Sequence, residues 1–117
     1  VIDKNSRYIG GAILPGLRVS LDSMSSNTAQ LPRISLDTPK KVIGKNTVDC
    51  MRSGVIFGNA AMIDGMLSRI EEELGGPATV IATGGIAKAV LPLCSHTIIY
   101  DGALLLKGLL ALYEKNK

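Results

Sequence analysis

The sequence predicts an α/β layered domain, a mixed sheet with one long helix packed on it. Three observations predict it: two short β-like segments flank a turn at the start of the chain, one uninterrupted helical stripe begins at Asn46, and two apolar β-rich runs at residues 79–82 and 97–100 each lead into a helical segment.

Size and composition set the frame. A chain of 117 residues is one domain's worth and buries roughly two-thirds of the surface it exposes when unfolded. Hydrophobic residues make up 46% and charged residues 20%, which excludes a disordered chain. Trp is absent and the aromatics are Tyr8, Phe57, Tyr100 and Tyr113, so aliphatic side chains do the packing and base stacking is not expected. The net charge is +3, but the basic residues are dispersed, with only Lys40-Lys41 and Lys115/Lys117 as local pairs, and no nucleic-acid partner is expected. Cys50 and Cys94 lack zinc-ligand spacing and His96 is the sole histidine, so reduced, buried thiols are expected. No apolar run reaches the roughly 20 residues of a membrane span, and no signal pattern opens the chain. The expectation is a cytoplasmic protein without a membrane partner. Val1-Ile2 reads as the end of a strand with no initiator Met before it, so the chain is expected to be a fragment.

The elements follow in order. Turn-forming residues 3–7 separate Val1-Ile2 from residues 8–14, predicting a hairpin whose second strand carries Gly10-Gly11. Pro15-Gly16 ends that strand, and Leu17, Leu21 and Met24 recur at helical spacing, giving a short helix that fades through Ser25, Ser26 and Asn27. Irregular structure follows from about Gln30 to Gly44, with a brief alternation at Ile34 and Leu36. Asn46 caps a helix of about 28 residues, with Asp49 placed well for the helix dipole and Gly75 and Pro77 as the stop. One face of this helix carries Gly54, Gly58, Ala61 and Gly65, which predicts a close helix contact within the domain or across a dimer. The run at 79–82 ends in Thr83-Gly84-Gly85 and a helical stretch from Ile86 to Leu91, which Pro92 ends. After the run at 97–100, Asp101 caps a last, leucine-rich helix.

The chemistry-bearing patterns are sparse. Gly44-Lys45-Asn46-Thr47 is not a nucleotide P-loop, because Pro39 stands where that motif needs glycine. Strand, glycine turn, helix around Gly84-Gly85 is the arrangement that offers backbone amides to a nucleotide. Asp49, Asp64 and Asp101 read as caps or solvated charges rather than general bases, and Glu71-Glu72-Glu73 reads as an exposed helix face.

In this order and spacing, Gly10-Gly11-Ala12-Ile13-Leu14-Pro15-Gly16-Leu17, Leu31-Pro32, Ile43-Gly44-Lys45-Asn46-Thr47, Ala82-Thr83-Gly84-Gly85 and the segment from Leu106 to Asn116 resemble type III pantothenate kinases along essentially the whole chain. Gly102 and Ala103 depart from that pattern, which usually has Pro and an acidic residue after the aspartate. The resemblance implies a ribonuclease H-like, actin-like ATPase fold, with residues 1–117 as the C-terminal domain of a two-domain kinase. It implies transfer of the γ-phosphoryl group of ATP to the hydroxyl of pantothenate, the first step of coenzyme A synthesis, in a homodimer using Mg2+ and a monovalent cation, K+ or NH4+. The family's phosphate loops, catalytic aspartate and cation-holding aspartate match nothing in this chain, so no catalytic or metal residue is assigned and the chain alone is expected to be inactive. Thr47 matches the substrate-contacting threonine, Gly84 and Gly85 match the adenosine-side turn, and Gly10 and Gly11 line the cleft. The dimer would use the Gly54/Gly58/Ala61/Gly65 face. A transcription accessory factor and a dimerisation module without a ligand site are the alternatives.

Overall fold

The protein is described here by a computed structural model that covers residues 1–26, 35 and 37–117. Asn27, Leu31-Pro32 and the Ile34/Leu36 alternation lie outside these residues.

At the start of the chain Asp3 organises the predicted turn. Its Oδ1 accepts the N–H groups of Asn5 and Arg7, each at 2.9 Å, and Ser6 adopts the left-handed region at φ 60°. The hairpin is smaller than the sequence predicts: it is one antiparallel bridge between Ile2 and Tyr8. A strand is held by a neighbour's ladder, and among the described residues nothing pairs with the segment beyond Gly10, where Ile13 is fully exposed.

Helix α1 spans Leu17–Ser26 and buries Leu17 and Leu21. Helix α2 spans Thr47–Leu74, 28 residues as the sequence predicts. Both of its ends are locally encoded. Asn46 is extended (φ −139°, ψ 167°) and accepts the Asp49 N–H, while Gly75 turns left-handed at φ 81° so that its N–H and that of Gly76 satisfy the last carbonyls, those of Glu72 and Glu71, a Schellman-type stop.

Met51, Val55, Ile56 and Ala60 form the buried face of α2. Val55, Ile56 and Ala60 pack with Leu17, Leu21 and Val90 in one cluster, and buried Ser53 donates its hydroxyl to the Val42 carbonyl. The long helix therefore packs on α1 and on a 3₁₀ turn at Leu91–Leu93, not flat against a sheet. The sheet itself is parallel rather than mixed: β1 (Val80–Ala82) pairs with β2 (Ile98–Tyr100) in the register Val80 to Ile98 and Ala82 to Tyr100.

Between the strands the helical stretch is two 3₁₀ turns, Ile86–Ala89 and Leu91–Leu93. Pro92 does not end it; it sits in the first turn of the second piece, where its missing N–H costs nothing. Helix α3 spans Leu104–Lys115. Asp101 acts two residues before the capping position: it accepts the Ala103 N–H and pairs with Lys107 at 2.7 Å, while the residue preceding the helix is Ala103.

Two further expectations change. Cys50 is exposed and Cys94 half-buried, both as free thiols, because position 50 falls on the solvent side of the first α2 turns. A Cβ added at Gly54, Gly58 or Gly65 would meet nothing within 4 Å, so the small-residue face of α2 makes no helix contact within the described residues. The radius of gyration, 17.1 Å, exceeds the roughly 13 Å of a compact domain this long.

Candidate functional site

The N-terminal end of α2 presents Thr47. Asn46 and Asp49 bond reciprocally, Asp49 N–H to Asn46 Oδ1 at 2.9 Å and Asn46 Nδ2 to Asp49 Oδ2 at 2.8 Å, which fixes Thr47 as the first helical residue, exposed to solvent. Such an end offers backbone N–H groups and the positive pole of the helix. Beside it Lys40, Lys41, Lys45 and Arg52 line a cleft of about 520 Å³ in which Asp49 is the acidic residue. The Arg52 guanidinium reaches Asp49 at 3.7 Å and Ser35 at 3.4 Å, yet its Nε is buried with no hydrogen-bond partner. The cleft is positively charged and suits an acidic ligand.

The glycine turn lies after β1. Gly84 takes φ 102°, a conformation that favours glycine, and Gly85 opens the Ile86–Ala89 turn. Neither has an atom within 4 Å of where a Cβ would stand, so another molecule can lie directly against the backbone. Tyr100 braces the turn by donating its hydroxyl to the Gly84 carbonyl at 3.1 Å, and Lys88 sits 5.1 Å from the centre of the Tyr100 ring, within cation–π range.

Gly10 and Gly11 line a third region, a cleft of about 580 Å³ shared with Met66, Arg69 and Ile70 near the other end of α2. Gly10 adopts φ 136°, and its carbonyl accepts from the Val1 amino group at 2.6 Å. Thr47 and Met66 are separated by about 28 Å along the helix axis. Thr47 and Gly10-Gly11 are therefore not gathered into one pocket.

What the sequence reading missed is a clasp between α2 and the segment entering β2. Asp64 accepts the N–H groups of Ser95 at 2.7 Å and His96 at 3.0 Å, and pairs with His96 Nδ1 at 2.8 Å. The other ring nitrogen, Nε2, faces Glu71 at 3.5 Å, whose second oxygen accepts the Ala78 N–H at 3.0 Å. The backbone N–H of Ser95 leads the groups that hold the Asp64 carboxyl down to about 2, and burial, aided by Asp64, pushes the Cys94 thiol up. Asp64 is thus neither a cap nor a solvated charge, and Glu71 is half-buried rather than part of an exposed face. The signal available in the sequence was their spacing of seven, which places both carboxylates on one face of a helix. Asp49, by contrast, is the capping partner its position implies.

Among the described residues no three His, Cys, Asp or Glu side chains converge so as to hold a metal ion, and no helix is long and apolar enough to cross a membrane.

Comparison with known proteins bears directly on these motifs. The family model described as Type III pantothenate kinase matches residues 1–69. The type III pantothenate kinase of Deinococcus radiodurans is 43% identical over 116 residues, 99% of this chain and 44% of the relative. That of Thermus thermophilus is 45% identical over 113 residues, 97% of this chain and 44% of the relative, and that of Exiguobacterium sibiricum is 46% identical over 116 residues, 99% and 46%. The chain thus spans less than half the length of these relatives. With the family model covering more than half of its residues, the chain belongs to the type III pantothenate kinase family.

Proposed function

We propose that this chain supplies part of the substrate and nucleotide surface of an ATP-dependent kinase that phosphorylates pantothenate, with the reacting carboxylate and phosphate-binding loops contributed by polypeptide that these residues do not match. The observation that carries the reading is that identity above 40% runs over 97% or more of the chain in relatives bearing that name, so Thr47 and the Gly84-Gly85 turn both fall inside the matched length. The α/β order of β1, glycine turn, β2 and α3 supports an actin-like ATPase domain at 1–117, in a cytoplasmic enzyme.

In this reading Thr47 donates and accepts hydrogen bonds to pantothenate, and the cleft of Lys40, Lys41, Lys45 and Arg52 beside it favours the substrate's carboxylate. Gly84 and Gly85 let adenosine lie against bare backbone. ATP brings Mg2+ with it, and K+ or NH4+ is held outside these residues. A chimera in which this chain replaces the matched 116 residues of the Deinococcus relative is expected to release ADP in a pantothenate-dependent manner, whereas the isolated chain is not. Thr47→Ala in that chimera raises the KM for pantothenate about tenfold, equivalent to losing roughly 1.4 kcal/mol, and Thr47→Ser restores most of it. Pantothenate-independent ADP release would remove the kinase reading, and an unchanged KM would leave Thr47 as merely the start of a helix.

A homodimer through Gly54, Gly58, Ala61 and Gly65 is part of the same proposal, supported by the exposure of all four residues and the open space over the glycines. Gly58→Leu fills that space. Light scattering of the chimera is expected to fall from two protomers to one on this substitution; an unaltered mass takes the stripe out of the interface.

A further inference from the structure

Two glycines in succession leave the peptide between Gly84 and Gly85 free to turn over, because neither residue carries a Cβ that favours one orientation of its plane. A hydrogen bond from outside the turn fixes that orientation. The Tyr100 hydroxyl donates to the Gly84 carbonyl at 3.1 Å, and among the described residues no other side chain bonds to either glycine. The Gly84–Gly85 peptide is trans, so its carbonyl and the N–H that follows point in opposite directions. Holding the carbonyl on Tyr100 therefore aims the Gly85 N–H away from that side chain, and among the described residues no acceptor takes it.

The sheet explains why position 100 carries this bond. Tyr100 pairs with Ala82, the last residue of β1, and the Asp101 N–H closes the ladder on the Ala82 carbonyl at 2.9 Å. The chain leaves the strand at Thr83, so only a long side chain with a donor at its tip reaches two residues past its ladder partner. The ring is itself held. Lys88 Nζ lies 5.1 Å from its centre, and Ile98, on the same face of β2, joins Leu91, Pro92, Lys88 and Tyr100 around a hollow of about 430 Å³. Gly102 leaves room on a further side, since a Cβ there would stand 3.3 Å from both the Tyr100 hydroxyl oxygen and Cε1, closer than ordinary van der Waals contact.

We propose that Tyr100 is a positioning residue for the nucleotide: through the Gly84 carbonyl it presents the Gly85 N–H to a hydrogen-bond acceptor of the adenosine, on backbone that the two glycines leave bare. Lys88 and Gly102 act on the same hydroxyl, one by anchoring the ring and the other by making space for it. Without the hydroxyl the peptide can turn over, and a carbonyl oxygen then faces the adenosine acceptor, leaving both without a donor. The inference rests on the reading that Gly84 and Gly85 meet the nucleotide.

ATP kinetics of the chimera with the Deinococcus relative test it. Tyr100→Phe keeps the ring and its contacts and removes the hydroxyl alone. The expected result is a KM for ATP raised about fivefold, the scale of one lost neutral hydrogen bond, with the KM for pantothenate unmoved and the melting temperature close to the parent's. The affinity for N-methylanthraniloyl-ATP, read by fluorescence without turnover, is expected to fall by the same factor. Gly102→Ala, which crowds the hydroxyl, raises the KM for ATP about twofold by itself and adds nothing in the Tyr100→Phe background, because the bond it disturbs is already gone. An unchanged KM for ATP and unchanged analogue affinity in Tyr100→Phe overturn the proposal. So does a rise in both KM values together with a lowered melting temperature, which would make Tyr100 a structural residue. Gly85→Val separates this inference from the reading beneath it. If Gly85→Val weakens analogue binding and Tyr100→Phe does not, the nucleotide-facing turn stands and the role of Tyr100 falls; if neither variant weakens it, the nucleotide reading of the turn falls as well.

Discussion

Gly44→Ala is expected to destabilise the protein by about 2–3 kcal/mol, near the upper end of the range for forcing atoms into a packed site. A Cβ at this position would stand 2.5 Å from Cys50 N, 2.7 Å from the Asp49 carbonyl carbon and 2.8 Å from Cys50 Cα. These are backbone atoms of the first α2 turn and cannot swing aside like a side-chain end. The glycine is needed for proximity and not for its dihedral freedom, since the left-handed glycines are Gly10, Gly75 and Gly84. Relief requires moving the connection that carries Asn46 and Thr47, so the substitution also displaces the candidate substrate threonine. Urea denaturation followed by circular dichroism measures the loss, and Gly58→Ala is the internal contrast. There the space is open and alanine's helix propensity gains up to about 1 kcal/mol. A Gly44→Ala midpoint equal to the parent's would show that the approach at residue 44 is not constraining.

Asp64→Ala is expected to cost about 2 kcal/mol near neutral pH, because it strands the N–H groups of Ser95 and His96 and the His96 ring nitrogen together, and unmade hydrogen bonds in a partly buried site are costly. Asp64→Asn retains one acceptor and loses about half as much. The pH dependence has a definite sign. The folded carboxyl is held down to about 2, below the ordinary 3.8 of an aspartate, so between those values the unfolded chain binds more protons. The stabilisation is fully present above the unfolded value and is lost as pH falls through about 2. The difference in melting temperature between parent and Asp64→Asn should therefore be largest at pH 5 and above and shrink steadily toward pH 2. A difference that stays constant over that range would mean that Asp64 carries no linked proton.

The parts of the fold legible in the sequence are those whose ends are chemically marked nearby. Asn46 with Asp49, and Gly75 with Pro77, bound α2 to the residue, and the runs around Val80 and Ile98 become strands where the apolar pattern puts them. Misreadings occur where the outcome depends on distant partners. Residues 8–14 have strand composition, but a strand needs a neighbouring ladder. Pro92 looks like a stop, but it also fits the first turn of a new 3₁₀ piece. Of the candidate site, Thr47 and Gly84-Gly85 are exposed at element ends where local chemistry puts them. The Asp64–His96 clasp joins residues 32 apart, and only the folded chain reveals it.

The clasp and the cap lie at separate points of one rod. Helix α2 is about 42 Å long, and Asp64 stands roughly 25 Å along its axis from Thr47. A stiff rod turned by about 5° around Asp64 carries Thr47 through roughly 2 Å, more than the ~1 Å misplacement that already degrades a positioned catalytic geometry. The His96 junction and the core contacts of Val55, Ile56 and Ala60 together fix the direction of that rod, and with it the aim of Thr47, the residue proposed to meet the substrate.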